Sequence, residues 1–270
     1  MKKLFYFLVV CLSMFCAISN QAVFVKTSFA VQKNQKNKIA IVIDDFGGYE
    51  RGGVKELLYS DVPITCAIMP FVDNSKEDYD MAIAHNKEVI LHMPMQAHVG
   101  LPESWYGPVY IKNYDTSEDA TQKLSKCLET MPEAKGFNIH IGSGASRNAE
   151  LMESMYKYAN EHNMMFLDSR TNVGDKCEEA SQLTDSIYLG RDIFLEPHKN
   201  RTYSGVRNRL YEAEKTAESK GYAIVIGHVG AEGGINTARA IIDFAANLND
   251  HTEIVPLSEI YKLVKESKYQ

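Results

Sequence analysis

The chain has 270 residues, 45% of them hydrophobic, and a formal net charge of -6. That much apolar material builds one large α/β domain or two small ones and excludes disordered and fibrous classes. The acidic balance, with no Lys/Arg cluster in the body of the chain, excludes a nucleic-acid-binding surface.

At the N-terminus, Lys2 and Lys3 precede an apolar run over residues 4–17 that is too short for a comfortable membrane span. Residues 1–30 are therefore expected to be a signal peptide or an N-terminal anchor. The product is expected to be exported, periplasmic or secreted, and membrane-anchored if this segment stays uncleaved. Small-residue cleavage patterns occur at Ser28-Phe29-Ala30 and near Ala17-Ile18-Ser19, and the residues before Cys16 do not fit lipoprotein processing. Cys11 and Cys16 fall in this segment. Cys66, Cys127 and Cys177 remain, which is not a disulfide framework, and the lack of a CxxC pair excludes a cysteine-rich zinc knot. Cys66, inside an apolar run, is expected to be a small buried hydrophobe.

After a polar spacer at residues 31–37, short apolar runs alternate with amphipathic stretches of helical length over residues 38–266. The runs lie at 39–43, 64–69, 88–91, 137–141, 164–167, 193–195, 223–226 and 253–255. Helices are expected at 53–59, 75–85, 117–131, 148–162, 203–220, 236–248 and 258–265. Repeated βα units imply a parallel sheet with right-handed crossovers. No repeat or linker divides the stretch, so it reads as a single distorted (β/α) barrel with seven or eight parallel strands, with an open doubly wound sheet as the alternative. One long irregular segment, residues 96–114, holds Trp105, Tyr106, Tyr110 and Tyr114. Its aromatics either stack on a sugar ring or pack as a lid on the barrel.

In a parallel barrel the C-terminal strand ends converge on one face, where catalytic residues sit. The first strand runs from Ile41-Val42-Ile43 into Asp44-Asp45-Phe46-Gly47-Gly48, two carboxylates and a glycine-rich turn. That is either an acid pair for metal-assisted hydrolysis or an Asp-Gly turn capping the next helix. The other ends deliver His92, His140, Asp168-Ser169-Arg170 and His228. Polar groups of this kind need partners if they are buried, so their gathering at strand ends points to a site. His85, His162 and His251 fall in helix ends or turns and are set aside. Asp45, His92 and His140 are the candidate ligands of a divalent, zinc-like metal, one carboxylate and two imidazoles that leave a position open for an acidified water. Asp44 is placed to take a proton and His228 to donate one. Asp168 and Arg170 are expected to orient these partners, with a capped turn and an exposed ion pair as the competing reading.

These motifs, Ile43-Asp44-Asp45-Phe46-Gly47, Leu91-His92-Met93-Pro94-Met95, Asn138-Ile139-His140-Ile141-Gly142-Ser143, Phe166-Leu167-Asp168-Ser169-Arg170-Thr171 and Ile226-Gly227-His228, resemble those of the divergent polysaccharide deacetylases, in order over residues 38–262. The resemblance implies a distorted (β/α) barrel of the carbohydrate esterase type. It also implies a metal-dependent enzyme that removes acetyl groups from N-acetylated cell-wall or exopolysaccharide sugars. Carried over, Asp44 is the base, Asp45 a metal ligand and His228 the acid. The chain departs from the wider pattern at Gln96, where a second ligand histidine usually stands. Either His140 completes the site, His98 swings in, or metal binding is impaired. A non-catalytic carbohydrate-binding or envelope-organising module and a glycoside hydrolase are the alternative functions.

Overall fold

Near-continuous Ile/Val/Leu runs are the pattern of strands buried on both faces, and the fold uses them that way. The computed structural model describes residues 36–197 and 200–269. The expected export segment at residues 1–30 lies outside the described residues, as does most of the spacer. Among the described residues there are nine strands: β1 (Asn37–Phe46), β2 (Thr65–Ile68), β3 (Glu88–Met95), β4 (Gly136–Ile141), β5 (Met165–Asp168), β6 (Leu189–Gly190), β7 (Ile193–Phe194), β8 (Tyr222–His228) and β9 (Thr252–Val255). Every pairing is parallel, in the order β6-β5-β4-β3-β2-β1-β8-β7. β9 takes the first half of the β1 edge, Asn37 to Ala40, and β2 takes the second.

The two ends of this path are consecutive in sequence. β6 pairs with β5, β7 pairs with β8, and Arg191-Asp192 joins them, with the Arg191 amide donating to Asp168 and the Asp192 amide to Ile224. The sheet therefore curls into an irregular (β/α) barrel, as the alternating pattern implied, and one bent segment bridges its two ends.

Eight helices accompany the strands: α1 (Val54–Leu58), α2 (Ser75–Ala84), α3 (Ser117–Leu128), α4 (Ala149–Glu161), α5 (Cys177–Leu183), α6 (Tyr203–Lys220), α7 (Gly234–Ala246) and α8 (Leu257–Lys268). Their starts are written locally. Thr116 and Asp119 form a capping box on α3, Asn148 accepts from the Leu151 amide at α4, and Thr202 accepts from the Gly205 amide at α6. Two elements were not anticipated, α5 and β6. α5 is seven residues with no capping side chain, and β6 is a two-residue strand ending in glycine, so neither carries a periodic signal. Among the described residues no helix is long and apolar enough to cross a membrane.

Strand alternation splits the core in two. Ala40, Val42, Ala67, Ile90, Met165, Leu167, Leu189, Ile224 and Ile226 fill the barrel interior. Ile39, Ile41, Ile43, Cys66, Val89, Leu91, Phe137, Ile139 and Phe166 face the helical layer. Cys66 is fully buried, as expected. At the strand N-termini Leu257 and Ile260 of α8 join the interior cluster, and the first turn of α8 is pinned by Thr65 and Glu88. With that end plugged, the opposite rim is where the interior opens.

The loop that leaves β1 is fixed by Asp78 of α2. Its fully buried carboxylate accepts from the Gly47 amide at 2.6 Å and takes a two-point grip from Arg51 at 2.5 and 2.6 Å. Asp78→Ala strands both donors and is expected to lower the unfolding free energy by about 2–4 kcal/mol, read from urea denaturation. A change below about 0.5 kcal/mol would show that the pin carries no stability.

Candidate metal centre and catalytic cleft

Parity along the strands selects what reaches the open rim. On β1 the interior positions run Ala40, Val42, Asp44, on β3 Ile90, His92, on β4 Asn138, His140, and on β8 Ile224, Ile226, His228. Asp44 and His228 sit side by side in the β1–β8 register, and His92 lies beside Asn138 in the β3–β4 register. Alternation alone would turn Asp45 outward. Instead the β1–β2 register shifts between Ile43 and Phe46, and Asp45 takes a left-handed backbone, φ 67°. This is a bulge: one extra residue brings the second carboxylate to the same mouth while Phe46 resumes the outward course. Aspartate tolerates that conformation better than most side chains.

Hydrogen bonds then fix both imidazoles. The Asn138 amide nitrogen donates to Asp44 Oδ1 at 2.7 Å, so its oxygen faces His92 Nδ1 at 2.7 Å and must accept from it. His140 Nε2 lies 3.1 Å from the Trp105 carbonyl, which can only accept. The remaining nitrogens, His92 Nε2 and His140 Nδ1, thus present lone pairs to each other at 3.0 Å. Asp45 Oδ1 stands 3.4 and 3.2 Å from them. Three acceptors turned on one point need a cation or an extra proton between them. Donor atoms around a zinc-sized ion at roughly 2.0–2.1 Å stand about 3.3 Å apart in tetrahedral geometry, so the residues fit a divalent metal. Without a cation, added protons turn these nitrogens into donors, and hydrogen bonds from His140 and His92 then hold the Asp45 carboxyl well below its usual range despite burial.

Gln96 is not part of this set. Its side-chain oxygen accepts from the Asn113 amide at 2.9 Å and its backbone carbonyl takes the Gly144 and Ala145 amides, so it organises the loop. His98 is exposed and points its backbone amide at Ser143. His140 is the residue that stands with Asp45 and His92.

On the far side, His228 Nδ1 meets Glu196 Oε2 at 3.1 Å, and the other oxygen of this fully buried carboxylate takes the His228 amide at 3.1 Å and the Thr237 hydroxyl at 2.5 Å. Burial opposes the imidazolium, but the Glu196 hydrogen bond and the Asp45, Glu196 and Asp44 charges outweigh it and push His228 up to about 9. Gly227 makes room for this pair, since a Cβ there would lie 2.8 Å from Leu195 and 3.1 Å from Glu196. Burial raises Asp44, against the pull of His92 and His228. Glu196 was missed in the sequence although it directly follows the apolar run at 193–195. Asn138 stood within a quoted motif without a role. A hydrogen-bond partner in the second layer has no spacing signature of its own.

Asp168 and Arg170 are not brought to this centre. Phe166, two residues before Asp168, stacks on Phe137 and packs at a tilt against Tyr156 in the helix-facing layer, and Asp168 follows it to that side. Its oxygens accept from the Arg170 amide at 2.7 Å and the Tyr188 hydroxyl at 2.8 Å. The Arg170 guanidinium reaches Tyr188 and the Arg191 carbonyl.

Beside the metal centre lies a cleft of about 580 Å³, lined by Asp45 and His140 together with Tyr49, Phe71, Trp105 and Val229. Tyr49, Phe71 and Trp105 are exposed in it. The segment at 96–114 buries Tyr106, which stacks on Tyr110, and leaves Trp105 exposed.

With this geometry established, comparison places the chain. The uncharacterized protein YibQ of Escherichia coli K12 is 28% identical over 191 residues, 71% of this chain, and the chain spans only 58% of that protein's length. The crystal structure of an uncharacterized protein of Agrobacterium tumefaciens C58 matches 84% of this chain and 90% of its own, with TM-score 0.73 at 17% identity. A CE4 family pseudoenzyme covers 84% of this chain and 67% of its own at TM-score 0.54 and 14% identity. The catalytic domain of a peptidoglycan N-acetylglucosamine deacetylase from Eubacterium rectale covers 83% and 90% at TM-score 0.50 and 13% identity. At these identities the three structures show the fold alone. Residues 41–261 match the family model described as divergent polysaccharide deacetylase, and the chain belongs to that family.

Proposed function

We propose that the protein is an exported, metal-dependent hydrolase that removes acetyl groups from an N-acetylated polysaccharide of the cell wall or an exopolysaccharide. The observation that carries this reading is the convergence of two tautomer-fixed imidazoles and Asp45 beside the Asp44–His228 pair. Family membership supports the reaction class. The basic-then-apolar pattern of residues 2–17 supports export. The exposed aromatics of the cleft suit a sugar face.

Asp45, His92 and His140 would hold the ion, and zinc is the metal such a donor set favours. When bound, the ion would supply Lewis-acid polarisation of the acyl carbonyl. Asp44, raised by burial, takes a proton from the attacking water. His228, held at Nδ1 by Glu196, turns Nε2 to the cleft and gives its proton to the departing amine as the C–N bond breaks. Water and the amide become acetate and a free amine. A glycoside hydrolase would need a second acid facing the cleft at a distance from Asp44. Asp168, the strand-end candidate, faces the helices instead.

Three measurements follow from these roles. Elemental analysis of purified protein should find near-stoichiometric zinc or another divalent metal, lost in His92→Ala and in His140→Ala. Asn138→Leu should weaken binding by about 10–100-fold, because it releases the His92 ring. A wild type that holds no metal and takes up none would turn the assignment toward a non-catalytic module.

Asp44→Asn should cut acetate release from N-acetylated glycans by about 10²–10⁴-fold with the metal still bound, and equal turnover would remove Asp44 as the base. In metal-free protein, NMR should place His228 near pKa 9. Glu196→Gln deletes the charge that favours the imidazolium, so the midpoint must fall toward the ordinary histidine range. A midpoint that stays put would credit Asp44 and Asp45 alone.

A further inference from the structure

A second group of ligand-type side chains lies outside the cleft, between β5, α4 and the start of α5. One carboxylate oxygen each from Asp168 and Asp175 and the Cys177 thiol sulfur all fall within 4.8 Å of one another. Asp168 and Cys177 are buried and Asp175 is half-buried. Among the described residues no Lys, Arg or His comes within ion-pair distance of either carboxylate; burial and the Asp175 charge raise Asp168, and the Arg170 charge offsets them only in part from farther away.

An independent observation points into the same spot. Tyr156 is 1% exposed, yet its hydroxyl has no hydrogen-bond partner. A buried hydroxyl of this kind is uncommon and asks for an acceptor or an ion. The ring lies against Phe166, on the same face of β5 as Asp168, 4.7 Å between centroids. The groups that act on the hydroxyl, after burial, are Cys177, Asp168, Tyr188 and Asp175. Met152 adds a thioether sulfur 3.5 Å from the Cys177 sulfur.

We propose that Asp168, Asp175 and Cys177 form a second cation site, specific for a thiophilic divalent ion of the zinc class, with the Tyr156 hydroxyl as a further oxygen donor. Two carboxylates and a thiolate are a borderline-soft set, which disfavours magnesium and calcium. To coordinate, the thiol gives up its proton to solvent and the donor atoms draw in by about 1 Å. The ion would tie the end of β5 to α4 and α5 and so brace the rim next to β4, which carries His140. The site is independent of the deacetylase reading, because it shares no ligand with the Asp45 centre.

Cobalt(II) titration of the chelator-stripped full chain tests it, since the Asp45 centre has no sulfur ligand and a sulfur-to-cobalt charge-transfer band that depends on Cys177 reports the second site. Wild type should take up about two equivalents and develop the band, and His92→Ala/His140→Ala should keep about one equivalent with the band intact. Cys177→Ser should abolish the band, while Asp175→Asn, a half-buried loop change that spares the core, should weaken its cobalt affinity at least about tenfold. Wild type without the band overturns the proposal. So does a band that survives Cys177→Ser, or an unchanged affinity in Asp175→Asn. In any of these cases the thiol and the two acids simply share protons. If Cys177→Ser fails to fold, the Asp175→Asn titration decides alone.

Discussion

The period-two alternation of strand side chains is the constraint on which the rest of this protein depends. It sends Asp44, His92, His140 and His228 into the mouth of the barrel and carries their neighbours to the helical layer. A second residue from the same strand can reach that mouth only if the alternation is broken. The bulge at Asp45 breaks it once, at the cost of one left-handed aspartate. The pinning of the next loop by Asp78 through Gly47 and Arg51 keeps that break in place.

Around this rim, electrostatic roles are divided by burial and partner. Asp44 and Asp45 are adjacent in sequence but driven apart, one carboxyl raised by desolvation and the other held low by two imidazoles. Asn138 serves both halves of the centre, orienting His92 with its oxygen and Asp44 with its nitrogen. Glu196 does for His228 what Asn138 does for His92, with a full charge in place of a dipole. His92, Asp44 and His228 thus take their orientation from second-layer partners.

Much of the architecture was legible in the chain. The runs at 39–43, 88–91 and 223–226 became β1, β3 and β8, and the helices at 117–131 and 203–220 appeared with their caps. β6 and α5 escaped because a two-residue strand and an uncapped helix of about two turns hold no period to detect. Closure through Leu189–Gly190 and Ile193–Phe194 was equally hidden, since it depends on which edges a bent segment happens to join.

The sequence by itself determined the strand–helix alternation and the chemical types delivered to the strand ends, because apolar periodicity and local caps act over a few residues. Only the tertiary structure decided which of those residues meet. His140 rather than Gln96 joins Asp45 and His92 because Gln96 is spent on Asn113 and the loop backbone. Asp168 turns away from Asp44 because Phe166 must pack on Tyr156, and side chains two apart on a strand share a face. Glu196 finds His228 across 32 residues, a distance over which no sequence spacing carries information.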